Sequence, residues 1–369
     1  MLLTVVFSNE CNLDCSYCCI GYKNNSPILS TDDATSFLSK YIKRYEENTI
    51  EFYGGEPFVQ YEKIIETINF VKLSFKESEY YFRVYTNGMF LERLNQDGLV
   101  NLFDEIFVSL DGFGFENNCA RFKTIEEYTS VLNGLIKLSK HDNNPTVLST
   151  VLSSERQYKE MFDSYKSFLQ IYNIRHFSYE PITVFNDDKT IVIPKRRLLL
   201  FLENILKISL DMFNKEDRGS LFVAKELMSA KWYDPEQGKR CSDVARAISP
   251  RGNIYMCRDF AANEENMFHR PNIIQFHNKN TLKMENGRFE SIEKIEGAYT
   301  PCVVKDLQYS KSEKIDELYW LNKEWQDLVI RPMYQIISAV NDETSDSEFY
   351  KNMIQEYLDH IPVLDKYLS

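Results

Sequence analysis

Three cysteines with regular spacing lie near the start of the chain. Cys11, Cys15 and Cys18 follow the apolar run Leu2 to Phe7 in the pattern C-x3-C-x2-C. The loop has no fourth ligand nearby, whereas a closed structural zinc site uses four. Three thiolates can hold a four-iron cluster while one iron stays open to a substrate or cofactor. The spacing therefore predicts catalytic iron-sulfur chemistry.

Three further motifs each follow an apolar run. The first is Gly54-Gly55-Glu56-Pro57, in which the glycines allow close backbone approach to a ligand and the carboxylate can receive an ammonium group. The second is Thr86-Asn87-Gly88, and the third is Ser109-Leu110-Asp111-Gly112.

Together these motifs resemble those of the radical S-adenosylmethionine (SAM) superfamily. Its cluster motif is C-x3-C-x-aromatic-C after the first barrel strand, with Tyr17 in the aromatic position, and its GGEP motif ends the second strand. The resemblance implies that the cluster cysteines bind a [4Fe-4S] cluster. A zinc or disulfide loop beside an unrelated glycine turn is the alternative. The residues that the resemblance assigns to SAM binding are Tyr17, Gly54, Gly55, Glu56, Pro57, Thr86, Asn87, Ser109 and Asp111.

The chemistry implied by this family is reductive cleavage of SAM to a 5'-deoxyadenosyl radical, which removes a hydrogen atom from a substrate. The protein itself supplies binding, orientation and exclusion of water and oxygen.

The loop after the fourth strand departs from the family pattern. Family members often carry H-D-x-x-R there, whereas this chain has Asn117-Asn118-Cys119-Ala120-Arg121. Arg121 is expected to bind the cofactor carboxylate, with a solvated loop arginine as the alternative. Cys119 is a candidate donor of a hydrogen atom to a substrate radical. Otherwise Cys119, like Cys19, is a small buried side chain.

A second group of cysteines lies in the last third of the chain. Cys241 and Cys257 enclose a predicted hairpin with Pro-Arg-Gly-Asn at its centre. The spacing C-x10-G-x4-C resembles the opening of the SPASM and twitch domains. With Cys302, these cysteines imply three ligands for one auxiliary iron-sulfur cluster. The alternatives are a domain that binds zinc or has lost its cluster.

The elements that must position these residues alternate along the chain. Short apolar runs and longer amphipathic stretches predict repeated strand and helix units around a parallel sheet. Six such units make a partial (β/α)6 TIM-type barrel, with reactive groups at the C-terminal ends of its strands. The predicted strands are LLTVVF, TIEFYG, YFRVYTNG, EIFVSLDG, TVLSTVL and HFSYEP, and the predicted helices span Asp32 to Tyr45, Glu62 to Phe75 and Ile125 to Ser139.

The fold class is therefore α/β, with four segments. Residues 1–185 form the barrel and residues 186–235 a helical bridge, in which Arg197 to Phe213 and Val223 to Ala230 are predicted helices. Residues 236–310 form a small twitch- or SPASM-like domain, and residues 311–369 form C-terminal helices.

The net charge and the distribution of apolar residues restrict which partners the protein can bind. The 369 residues carry a formal net charge of −12, which disfavours nucleic acid, since phosphate binding needs a basic face. No stretch reaches the ~20 apolar residues of a membrane span, and the first residues lack the pattern of a signal peptide. We therefore expect a cytoplasmic protein.

The barrel with an added cluster domain resembles enzymes that modify peptides. The hypothesis is a maturase that cross-links or epimerises a ribosomally made precursor peptide. Its expected electron donor is a flavodoxin or ferredoxin. The leader of the peptide would be bound by the barrel, by the C-terminal helices from Lys311 or by a separate leader-binding protein. The alternatives are a radical SAM dehydrogenase or mutase of a small molecule, and a non-catalytic iron-sulfur binding protein.

Overall fold

The computed structural model describes most of the first 214 residues and short segments beyond them. The described residues are 1–18, 20, 25–141, 145–181, 184–185, 191–192, 195–214, 245–255, 258–262, 264, 282–285, 288–291, 352, 354–356 and 358–359. Cys19, Cys241, Cys257 and Cys302 lie outside them, and so does the predicted helix Val223 to Ala230.

The strands and helices alternate through the first 214 residues. The strands are β1 (Leu2–Val6), β2 (Glu47–Tyr53), β3 (Glu79–Thr86), β4 (Glu105–Ser109), β5 (Thr146–Leu152), β6 (His176–Pro181), β7 (Val184–Phe185), β8 (Ile191–Val192), β9 (Ala245–Ile248), β10 (Ile254–Tyr255), β11 (Leu282–Glu285) and β12 (Arg288–Ser291). The α-helices are α1 (Thr31–Tyr41), α2 (Tyr61–Ser74), α3 (Leu91–Gln96), α4 (Phe115–Asn118), α5 (Ile125–Leu138), α6 (Glu155–Lys159), α7 (Met161–Tyr172), α8 (Lys195–Asn214) and α9 (Arg258–Ala262). Short 3-10 helices span Pro57–Gln60 and Leu99–Leu102.

The chain divides into two compact units. The first unit consists of residues 1–109, 119–146 and 236–298, and the second of residues 110–118, 147–235 and 299–369. In the first unit, β9, β1, β2, β3 and β4 are neighbours in that order and run parallel. The antiparallel strand β10 pairs with β9 and continues this sheet.

The two faces of this sheet differ in character. Val5, Phe52, Val84 and Ile106 align across β1 to β4, and all four side chains are fully buried. Side chains alternate along a strand, so the next row belongs to the other face. That row is polar and reads Thr4, Glu51, Arg83 and Glu105. The apolar row is the core of the sheet, and the polar row supplies ion pairs.

In the second unit, β5 and β6 pair in parallel from Val147 opposite His176 to Leu152 opposite Pro181. The helices α6 to α8 enclose a core that includes Tyr158, Phe168 and Phe201. Asn204 on α8 joins these helices, since it donates to the Tyr158 carbonyl at 2.8 Å and accepts from the Phe162 amide at 3.1 Å.

The structure confirms the α/β class, the parallel sheet of a partial TIM-type barrel and the six strands. The predicted hairpin is β9 and β10, with the turn at Gly252 (φ +81°). The helix predicted to reach Tyr45 ends at Tyr41. Its end is set by Asn48, whose side chain accepts from the Lys43 amide and donates to the carbonyls of Lys43 and Glu46. Among the described residues, no helix is long and apolar enough to cross a membrane.

Candidate active site

The segment that leaves β1 pairs directly with the glycines that follow β2. The Gly55 amide donates to the Ser8 carbonyl at 3.2 Å, and the Glu56 amide donates to the Glu10 carbonyl at 2.8 Å. A Cβ at Gly54 (φ +135°) would lie 2.5 Å from the Ser8 oxygen, and one at Gly55 would lie 2.2 Å from the Glu10 oxygen. Both glycines are therefore needed to let this segment, which leads into Cys11, lie against the end of β2.

The Glu56 carboxylate ties the end of β2 to the end of β3. It is 1% exposed and accepts from the Asn87 amide at 2.7 Å, the Thr86 hydroxyl at 2.9 Å and the Phe58 amide at 3.1 Å. Burial raises the pKa of Glu56 from 4.5 to about 7, although these three donors favour the ionised form. Pro57, which is also buried, begins the short helix that follows.

Asn87 connects the end of β3 to the cysteine loop. Its side-chain nitrogen donates to the Asn12 side chain at 2.7 Å and contacts the Cys11 sulfur at 3.7 Å. The Leu13 amide also donates to that sulfur at 3.4 Å. Hydrogen bonds to cluster thiolates are among the features that set the reduction potential of an iron-sulfur cluster. Asn87 is thus placed to orient the cysteine loop. If Cys11 binds an iron-sulfur cluster, Asn87 is also placed to affect the reduction potential of that cluster.

Arg121 lies on the other side of the same loop. Its guanidinium nitrogen contacts the Cys15 sulfur at 4.0 Å, and its charged carbon lies 5.5 Å from the centre of the Tyr17 ring. The Ser16 amide donates to the Ala120 carbonyl at 2.9 Å. Arg121 is 8% exposed, so the alternative of a solvated arginine is wrong. A buried cation beside thiols favours their ionised, ligating form.

The three cysteines lie on one loop together with its hydrogen-bond donors. Cys11 and Cys15 are half-buried, and Cys18 is exposed. In the described part of the chain, no three His, Cys, Asp or Glu side chains are grouped so as to hold one metal ion. In a four-iron cluster each cysteine thiolate binds its own iron atom. Three thiols on one loop, with amide donors and a buried cation around them, fit such a cluster with one iron left open.

Two of the predicted SAM-binding residues lie around the end of β4. Ser109 ends the strand and is half-buried. Asp111 belongs to the second unit and is fully buried, with its carboxylate accepting from the Val151 amide at 3.2 Å. The structure thus gives Asp111 a structural contact, and its predicted role in cofactor binding stays a prediction.

The structure also explains the two asparagines found in place of the family's His-Asp pair. The Asn118 side chain accepts from the Asp111 amide at 2.8 Å and donates to the carbonyls of Gly112 and Gly114. Asn117 donates to the Phe113 carbonyl at 2.8 Å. Both side chains therefore hold the turn after β4 in shape. The thiol that follows, Cys119, is exposed, so it is not the buried side chain of the alternative interpretation.

Sequence reasoning missed three residues of this region. Asn9, Asn12 and Arg258 all contact the segments described above, but none belongs to a motif. Their contacts are between residues far apart in the chain, which no local pattern reveals.

Part of the chain matches a known protein family. Residues 5–168 match the model of the Radical SAM superfamily. The matched region includes the cysteine loop and the motifs after β2, β3 and β4, so the recognition from sequence is confirmed. The match to this superfamily implies a bound [4Fe-4S] cluster and SAM.

The chain is similar in sequence to two known proteins. It is 22% identical over 260 residues to an uncharacterised protein of Methanocaldococcus jannaschii, which covers 69% of this chain and 84% of that one. It is 23% identical over 195 residues to the radical SAM cyclopropyl synthase TigE of Paramaledivibacter caminithermalis, covering 47% of this chain and 39% of that one.

Among solved structures, the chain is similar to hexahistidine-tagged anSMEcpe with bound AdoMet. The TM-score is 0.62 at 14% identity, over 95% of this chain and 98% of that one. Native anSMEcpe with bound AdoMet and the Kp18Cys peptide gives a TM-score of 0.55 at 14% identity, over 100% of this chain and 99% of that one. At this identity the likeness establishes the shared fold.

Proposed function

We propose that this radical SAM protein is an enzyme that cleaves SAM reductively and removes a hydrogen atom from a ribosomally made peptide. One observation carries the catalytic part. A continuous set of hydrogen bonds joins the cysteine loop to Gly55 and Glu56 after β2 and to Asn87 after β3. The three segments are therefore held as one site, as the binding of one cofactor requires.

When bound, the cluster and SAM supply a 5'-deoxyadenosyl radical to this site. Cys11, Cys15 and Cys18 would hold the cluster, and the backbone around Gly55 and Asn87 would hold SAM. Glu56 keeps the Asn87 amide in place. An ammonium group beside Glu56 would favour the ionised carboxylate, since an opposite charge lowers the pKa of an acid.

One feature of the comparisons supports a peptide substrate. The similar anSMEcpe structure has a bound peptide. The proposed product is a cross-linked or epimerised residue. For epimerisation, the exposed thiol of Cys119 would return a hydrogen atom to the substrate radical. The thiyl radical left on Cys119 would take one electron from the proposed electron donor and one proton from solvent to restore the thiol.

The further parts of the proposal concern the region beyond the radical SAM domain. Cys241, Cys257 and Cys302 would bind one auxiliary cluster in a twitch- or SPASM-like domain. A flavodoxin or ferredoxin would supply the electron, and a separate protein would bind the leader of the peptide. The proposed location is the cytoplasm.

The test uses the full-length protein, reconstituted without oxygen, with SAM, dithionite and the short peptide encoded beside its gene. The reaction is run in deuterated water, and exchangeable positions are washed back before mass measurement. A loss of about two mass units indicates a cross-link or desaturation, and a gain of about one indicates epimerisation with hydrogen returned from a thiol. Cys119→Ala is expected to abolish only the second outcome. An unchanged peptide, in a sample that produces 5'-deoxyadenosine, contradicts the peptide proposal.

A further inference from the structure

The short helix α9 contacts the C-terminal ends of β2 and β3 at its start and the segment after β1 at its end. It begins at Arg258, directly after Cys257 in the sequence, and ends at Ala262. All the contacts described below lie within the first unit.

At the start of α9, Arg258 reaches the polar face of the sheet. Its guanidinium donates to the Glu51 carboxylate at 2.9 Å. Glu51 is fully buried, and its other oxygen accepts from the Thr4 hydroxyl at 3.0 Å. A carboxylate buried to this degree needs a charged partner, so the ion pair fixes where the arginine side chain lies.

The same guanidinium lies against two tyrosine rings. Its central carbon is 4.9 Å from the centre of the Tyr53 ring and 4.4 Å from that of the Tyr85 ring. The two rings also meet edge to face, with centres 5.5 Å apart. Arg258 and these tyrosines therefore form one packed group across the C-terminal ends of β2 and β3.

This group lies immediately before the motif residues of both strands. Tyr53 precedes Gly54-Gly55-Glu56, and Tyr85 precedes Thr86-Asn87. A change in the separation of the two rings would move both turns and strain the hydrogen bond between Glu56 and the Asn87 amide.

The end of α9 contacts the third segment of the site. The Asn9 side chain donates to the Ala262 carbonyl at 2.7 Å, and Asn9 is 7% exposed. Asn9 lies two residues before Cys11, in the segment that pairs with Gly55. One five-residue helix thus touches the segment leaving β1 and the C-terminal ends of β2 and β3.

We propose that Arg258 is a positioning residue for the SAM site, which holds the ends of β2 and β3 at the separation that SAM binding requires. The part concerning SAM rests on the proposed function, whereas the part concerning the strand ends does not.

The test compares three variants of the full-length, reconstituted protein. Arg258→Lys keeps the charge that Glu51 needs but removes the planar group that stacks on the tyrosines. The double variant Glu51→Gln with Arg258→Met removes both charges together, which avoids leaving a buried carboxylate unpaired. The matched control is Arg246→Lys, since Arg246 is half-buried on β9 and stacks on Tyr41 at 5.9 Å, away from the motifs.

Two measurements are made, SAM affinity by equilibrium dialysis and amide hydrogen exchange at residues 54–56 and 86–88. We expect the double variant to bind SAM about tenfold more weakly, as the loss of a desolvated cation–π contact predicts, and Arg258→Lys about threefold more weakly. Both variants should exchange faster at the two turns, and Arg246→Lys should match the wild type.

Unchanged exchange at both turns would overturn the positioning of the strand ends. Faster exchange with unchanged SAM affinity would overturn the link to SAM. If the wild-type protein itself binds no SAM, the proposed function fails, and the exchange comparison still tests the role of Arg258.

Discussion

The buried carboxylate of Glu56 predicts how the free energy of unfolding of the protein changes with pH. Burial raises its pKa to about 7 from 4.5, the value for a solvated glutamate. A carboxyl group whose pKa is higher in the folded state stabilises the fold at low pH, and this stabilisation is lost as the pH rises from 4.5 through 7. At about 1.4 kcal/mol per pKa unit, the loss between pH 5 and pH 8 is about 2.5 kcal/mol.

The measurement is urea unfolding of the iron-free, full-length protein and of Glu56→Gln between pH 5 and pH 8. The other titrating groups are the same in both proteins. Their contributions therefore cancel when the unfolding free energy of the variant is subtracted from that of the wild type. We expect the wild type to lose about 2.5 kcal/mol relative to the variant over this range. Glu62→Gln, at an exposed position on α2, gives the baseline for removing a carboxylate without buried contacts. A wild type that gains stability relative to Glu56→Gln as the pH rises would show that the three donors outweigh burial, and would refute the reasoning.

Three further predictions concern residues around the site. Gly55→Ala should cost at least about 3 kcal/mol of unfolding free energy, because its Cβ would overlap a backbone oxygen. In the control Gly98→Ala, the added Cβ would have no atom within 4 Å, and the cost should be about 1 kcal/mol. Equal losses of the two variants in urea unfolding would contradict this prediction. Arg121→Met should make the cluster harder to reduce, because a buried cation beside Cys15 is lost, and an unchanged potential in a redox titration followed by electron paramagnetic resonance would contradict this. Asn118→Asp should destabilise the protein by about 3 kcal/mol in urea unfolding, because the buried Gly112 carbonyl and the half-buried Gly114 carbonyl lose their donor, and the exposed control Asn133→Asp should change little.

The sequence allowed prediction of the features that depend on local pattern. The six strands are visible because short apolar runs are separated by amphipathic stretches, and the motifs that follow them identify the domain. The hairpin of β9 and β10 is visible because Pro250 to Asn253 is a turn between apolar residues. Its pairing with β1, which places it in the same sheet, is a contact between distant parts of the chain and leaves no local signal.

The sequence predicted which residues belong to the candidate site better than it predicted the contacts that they make. The glycines after β2 were expected to admit a ligand, and the structure adds that they must also admit the backbone of residues 8–10. Glu56 was expected to receive an ammonium group, and the structure shows that its oxygens hold the end of β3. Arg258 was missed because its partner Glu51 lies 207 residues away in the sequence.

The most direct test of the account is the formation of 5'-deoxyadenosine from SAM by the reconstituted protein under dithionite, without oxygen. The wild type and Cys119→Ala should both produce it, and Cys11→Ala, Cys15→Ala and Cys18→Ala should each produce none, because each removes a thiolate of the predicted cluster. Absence of 5'-deoxyadenosine from a wild-type sample that carries its full complement of iron and sulfide would contradict the catalytic account and leave a non-catalytic iron-sulfur protein.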